Sequence, residues 1–228
     1  MENIVPVKEL ELYIIRHGQS MGNAGYGDRT DLTETEIHDP VLTEKGKEQA
    51  DKAGIYLRDV EFDYVFSSAM LRAVQTATGI LKHQKKTKIL NIYPLVCEMG
   101  IPPEYKGVTM DELLKINSES VFAPDVSPDS PMVYSTCEEA DTFERAKNAL
   151  DYFCTRYKNG EKVAVISHAA FITYLVFSLM GYDKAPLFDI DFHNTGITKV
   201  VFYQKGTNKY GDVVFEKIDD TAHYMIEG

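Results

Sequence analysis

Short runs of apolar, β-branched residues alternate along this chain with longer stretches of helical period, and no other feature restricts the fold as much. Each run needs cover on both faces, and each intervening stretch supplies it. The pattern therefore predicts an α/β fold: a three-layer α/β/α sandwich around a mostly parallel central sheet. Strands are expected at residues 10–15, 62–66, 89–95 and 163–166. Helices are expected after Thr43, where Ala50, Ala53 and Leu57 share one face, and over residues 69–82, 138–158 and 169–180, with Thr136 as the cap of the third. Two last strands, 197–203 and 213–218, predict an antiparallel pair around the turn between them. Residues 22–40, rich in Gly, Asp and Thr, predict an exposed loop. With 228 residues and no internal repeat, one domain spanning 1–228 is expected, with residues 104–135 as a lid or insertion.

Composition removes several classes of partner. A net charge of −11 argues against nucleic acid and anionic membrane surfaces, both of which demand a basic face. An anionic substrate would need a local positive pocket. The first eleven residues carry Glu2, Lys8, Glu9 and Glu11 instead of the apolar core of a signal peptide, and the longest apolar stretch, 169–180, is too short to span a bilayer. A cytoplasmic protein is expected. Cys97, Cys137 and Cys154 are odd in number and lack metal-ligand spacing, which fits reduced thiols.

The strand ends hold the chemistry. The first run, Leu-Glu-Leu-Tyr-Ile-Ile, stops at Arg16-His17-Gly18; the second ends at Ser67-Ser68, with Arg72 early on the following helix. Glu98 closely follows the third, and the run 163–166 ends at Ser167-His168 immediately before an apolar helix. In α/β folds the carboxyl ends of strands are where ligands bind.

These residues and their order resemble the histidine phosphatase superfamily, also called the phosphoglycerate mutase-like family. The likeness runs through Arg16-His17-Gly18-Gln19-Ser20 with Asn23, Leu42-Thr43-Glu44-Lys45-Gly46, Arg72-Ala73-Val74-Gln75-Thr76-Ala77, Glu98, Ser167-His168-Ala169-Ala170 and Asn194-Thr195-Gly196. It implies a phosphoglycerate mutase-like fold and a small-molecule phosphomonoester as substrate. His17 would be a nucleophile forming a phosphohistidine, kept neutral by Arg16 and Arg72. His168 would stabilise the transferring group and Glu98 would be the proton donor. Arg16, Arg72, Asn23 and the start of the helix at Ala169 would hold phosphate, and Gly18 would allow a close approach to it. No metal or cofactor is implied. Thr43 and Thr195 have structural explanations, as helix cap and strand-entry residue, and His38, His83, His193 and His223 lie in no motif and read as surface or structural residues.

The family divides between phosphatases and mutases, and here the departures decide. The chain has no Trp, Met21-Gly22 precedes Asn23, and Met99-Gly100-Ile101-Pro102 stands where the mutases hold a substrate carboxylate. Ala69-Met70-Leu71 replaces the usual acidic residue and Leu before the second-motif arginine. Hydrolysis is the expectation; mutase-type phosphoryl transfer and a non-catalytic phosphate-binding protein are the alternatives.

Overall fold

A computed structural model describes residues 5–134 and 138–226, so that Thr136 and Cys137 lie outside the described residues. Among the described residues, seven strands form one sheet: β1 (Lys8–Arg16), β2 (Tyr64–Ser67), β3 (Leu90–Ile92), β4 (Ser120–Phe122), β5 (Glu161–Ser167), β6 (Ile197–Tyr203) and β7 (Val213–Asp220). Their order is β4-β3-β2-β5-β1-β6-β7, with the first five parallel and the last two antiparallel. The helices are α1 (Met21–Ala24), α2 (Glu34–His38), α3 (Glu44–Leu57), α4 (Leu71–Lys82), α5 (Met110–Leu114), α6 (Glu139–Arg156) and α7 (Ala169–Leu179).

The two-residue period of the strands sorts the core into two layers. On β1, Leu10, Leu12 and Ile14 join Val163 and Val165 of β5 under Ala146 and Phe153 of α6 and Phe171 and Leu175 of α7. Tyr13 and Ile15 face the other way, with Ala164 and Ile166, toward Ala53 and Leu57 of α3 and Ala73 and Ala77 of α4. Two helices on each face make the three-layer sandwich that the alternation predicts. Because β1 and β5 pair in parallel with Arg16 opposite Ser167, two of the chemistry-bearing strand ends finish side by side.

The structure departs from the sequence reading where segments are short. Residues 22–40 are not a continuous loop; they contain α2, closed by a capping box between Thr33 and Glu36, and the end of α1, which Ser20 and Asn23 cap in the same way. The third strand stops at Ile92 instead of continuing to residue 95. Pro94, which has no N–H for the ladder, opens a 3₁₀ turn over Pro94–Val96. Within residues 104–135, α5 is followed by β4, which pairs with β3 (Leu90 opposite Ser120) and forms the sheet edge. Part of the expected insertion thus belongs to the sheet itself. No helix among the described residues is long and apolar enough to cross a membrane.

Candidate active site

The carboxyl ends of β1, β2 and β5, with the segment after β3, bring Arg16, His17, Arg72, Glu98 and His168 to one end of the sheet. His17 follows β1, and its backbone N–H donates to the Ser167 carbonyl (2.9 Å), which continues the parallel ladder one residue past the strand. The imidazole is 3% exposed, so its bonding is fixed by protein groups alone. Nδ1 lies 2.7 Å from the Gly18 carbonyl. A carbonyl only accepts, so this bond assigns the proton to Nδ1 and leaves the lone pair on Nε2. Arg72 Nε donates to that lone pair at 3.1 Å. The ring is held well below the usual histidine range, by burial first and by the Arg72 charge next, against the upward pull of the Gly18 carbonyl; Arg16 contributes least. Burial, ahead of the two arginines, is thus the main cause of a neutral His17.

His168, fully buried, is the N-cap of α7, and its ring centroid lies 5.1 Å from that of His17. Its Nε2 is 2.7 Å from Ser68 Oγ, which also accepts the Met70 N–H. Ser68 Oγ can donate to Nε2 or accept from it, so either ring nitrogen can carry the proton. Nδ1 is buried and has no partner, and the same is true of Arg16 Nε, although Arg16 Nη1 donates to the Phe192 carbonyl. Burial and nearby cations, Arg72 foremost among them, hold His168 well below its ordinary value.

Gly18 packs against the start of α3. A Cβ there would stand 2.5 Å from the Gly46 carbonyl oxygen of α3, so its missing side chain admits a helix. The Gly18 N–H donates to Thr76 Oγ1 on α4 (3.0 Å). Asn23 is exposed, and its Oδ1 accepts from Ser20 N, Ser20 Oγ and Asn194 Nδ2 at 3.1–3.2 Å, which leaves its amide nitrogen as the donor. Asn194 Nδ2 also donates to the His17 carbonyl (3.1 Å) and so ties the two loops together. Ala169 opens α7, whose first-turn N–H groups have no partner within the helix.

Glu98 is half-buried, and its Oε1 accepts the backbone N–H groups of Met99 and Phe171, each at 3.1 Å. The second of these belongs to the first turn of α7, so the same helix start carries His168 and fixes Glu98. Among the described residues, no group of three or more His, Cys, Asp or Glu side chains is placed to hold a metal ion.

Two residues outside the sequence reading organise the site. Asp39, fully buried, accepts the Leu71 N–H on both carboxylate oxygens (2.8 and 3.0 Å) and lies 3.4 Å from Arg72 Nη1. It therefore caps α4, where Met70 offers no side-chain acceptor, and holds Arg72 in place. Burial pushes its carboxyl up to about 6, against the opposing pull of Arg72 and the Leu71 N–H. Arg145 of α6 is 4% exposed, and its Nη1 donates to the carbonyls of Leu95 (2.9 Å) and Cys97 (2.6 Å). Its guanidinium also covers the Phe171 ring at 4.4 Å and thereby clamps the segment that presents Glu98.

With this geometry in view, residues 12–210 match the histidine phosphatase superfamily (branch 1). The chain belongs to that superfamily. It is 27% identical over 224 residues to a broad-specificity phosphatase of Saccharomyces cerevisiae, across 94% of this chain and 87% of that one. It is 37% identical over 145 residues to the fructose-2,6-bisphosphatase TIGAR of Xenopus tropicalis, across 63% of this chain, and spans about half (49%) of that relative's length. Its fold is similar to that of a phosphoserine phosphatase of Entamoeba histolytica solved with 3-phosphoglyceric acid: TM-score 0.61, 24% identity, 94% and 98% of the two chains.

Proposed function

We propose that this chain hydrolyses small-molecule phosphomonoesters through a phosphohistidine on His17, with one domain spanning residues 1–228 carrying the activity. The observation that carries this reading is the state of His17: a buried, neutral imidazole whose Nδ1–H is spent on the Gly18 carbonyl and whose Nε2 lone pair faces Arg72. The phosphatase names of the Saccharomyces and Xenopus relatives and the departures after Glu98 favour water over a retained sugar acid as the acceptor.

The phosphoryl group takes the place of His17 as the partner of Arg72. Arg72 turns its N–H groups to the phosphoryl oxygens, which frees Nε2 to attack phosphorus. Arg16 Nε and His168 Nδ1, both buried and without partners, complete the hold on those oxygens together with Asn23 and the Ala169 N–H, with the His168 proton on Nδ1 and its Nε2 accepting from Ser68 Oγ. As the Nε2–P bond forms, the bond from phosphorus to the ester oxygen breaks, and that oxygen takes the proton carried on Glu98 Oε2, since Oε1 is already bonded to two N–H groups. Water then gives a proton back to Glu98 and attacks phosphorus. The Nε2–P bond breaks, phosphate leaves, and neutral His17 is restored. The positive charge comes from side chains, so no metal is needed.

Phosphate release from p-nitrophenyl phosphate tests the proposal. The native chain turns over, with or without chelator, and His17→Ala lowers kcat by about a thousandfold or more. A native-like rate in His17→Ala would overturn it.

A further inference from the structure

Beside Glu98 a cavity of about 510 Å³ opens between α7 and the segment that follows it, within the range of small-molecule pockets. One wall is Thr173, Tyr174 and Phe177 of α7; the other is Leu187 and Phe188. Met99 and Ala170 also line it, and each is the chain neighbour of a site residue, Glu98 in one case and Ala169 in the other. The Met99 N–H that donates to Glu98 Oε1, and Ala170, which precedes the Phe171 N–H donor, thus set this cavity next to the backbone that holds Glu98.

Its chemistry differs from that of the phosphate pocket. Among the lining residues the one charged side chain is Asp189, an acid, and no cation lines the wall to receive a second phosphate or a carboxylate. Glu139 adds further negative charge nearby by accepting the Ala185 N–H (2.5 Å), which ties the far wall to α6. That wall keeps large apolar groups in water: Phe188 is half exposed and Leu187 fully exposed, while the Phe188 ring packs edge-on against Phe177 at 5.5 Å. A shaped apolar surface of this kind, beside the backbone that holds Glu98, is a place for part of a substrate.

We infer that the cavity receives the leaving group, and that the preferred substrates are phosphomonoesters of apolar alcohols carrying no second anionic group. The inference rests on the phosphatase reading above and adds the substrate class to it. The oxygen that Glu98 protonates belongs to an alkyl or single-ring aryl alcohol whose body lies against Tyr174, Phe177 and Phe188. A second anion would face Asp189 and stay unpaired.

A series of straight-chain alkyl phosphates, from methyl to hexyl, tests this, because the leaving alcohols differ little in acidity and any trend reports burial. The expected result is a rise in kcat/KM of about threefold to fourfold for each added CH₂ until the cavity is filled, with 3-phosphoglycerate at least about tenfold below butyl phosphate. Phe188→Ser flattens the series, and Thr173→Lys, which sets a cation in the wall, moves the preference toward 3-phosphoglycerate. A flat series in the native chain, an unaltered slope in Phe188→Ser, or a native preference for 3-phosphoglycerate overturns the subsite while leaving hydrolysis standing. Absence of phosphate release from every ester, p-nitrophenyl phosphate included, overturns the phosphatase reading and the subsite together.

Discussion

Arg72 is buried with its charge divided between two partners, the lone pair of His17 on one side and the carboxylate of Asp39 on the other. A buried guanidinium without a counter-charge is costly, so Asp39 makes the cation tolerable at the place where phosphate needs it. The same carboxylate caps α4 through Leu71, which couples the helix position to the arginine position. The carboxyl of Asp39 is raised to about 6, so the ionised form that pairs with Arg72 prevails above that pH and is lost below it. Asp39→Asn is expected to lower kcat/KM at pH 8 by about tenfold to a hundredfold, the loss of one buried charged hydrogen bond. The gap between native and variant should close as pH falls from 7 to 5, because the native chain then protonates Asp39 as well. Taking the ratio of the two profiles removes the ionisation of the substrate; a ratio that stays constant with pH would contradict the pairing. Asp39 was not legible in the sequence, since it sits among Thr and Glu with no period to mark it as buried. Arg145 did leave a signal, a charged residue on the apolar stripe that runs through Phe143, Ala146 and Ala149 of α6. By contrast His17, Arg16, Arg72, Glu98 and His168 all lie at or just beyond recognisable strand ends.

At the scale of elements, the turn after β1 and the start of α3 are locked backbone to backbone. Thr43 caps α3 by accepting the Gly46 N–H (3.0 Å), and its own N–H donates to the Gln19 carbonyl (2.9 Å). A Cβ on Gly46 would stand 2.0 Å from that carbonyl oxygen, and one on Gly18 would stand 2.5 Å from the Gly46 oxygen. Neither neighbour is a flexible side chain that could swing aside. Gly46→Ala is therefore expected to cost about 2–3 kcal/mol or more in urea unfolding, and to lower phosphatase activity by displacing the turn that carries His17. An unchanged midpoint would contradict the contact. The long elements were legible because a strand of seven residues or a helix of fourteen repeats its period often enough to be read. Two of the three short helices among the described residues, and β4, were not: α1, α2 and β4 are three to five residues each and are set by local caps or by pairing with β3. For α2 the residue types did carry a sign, since Thr33 followed three positions later by Glu36 has the spacing of a capping box.

Over the whole molecule, the strand order places β5 between β1 and β2, so that a late segment of the chain inserts between two early ones. This order brings four distant segments to one end of the sheet: residues 16–18, the start of α4, Glu98 and the start of α7. The acidic net charge of −11 coexists with a local cationic cluster, because buried Arg72 and Arg145 and part-buried Arg16 gather at one end of the sheet. The fold class and the strand-end cluster were legible from alternation and order. The sheet edge and the apolar cavity were not, since both depend on segments that meet only in three dimensions. A phosphoryl group taken up by His17 Nε2 can be trapped before water removes it. The native chain, mixed with p-nitrophenyl phosphate, quenched in base within the first turnover and digested for mass spectrometry, should carry one phosphoryl group on His17 that is stable in alkali and lost in acid. An acid-stable adduct, or a phosphoryl group on Ser68 or any residue other than His17, would contradict the account.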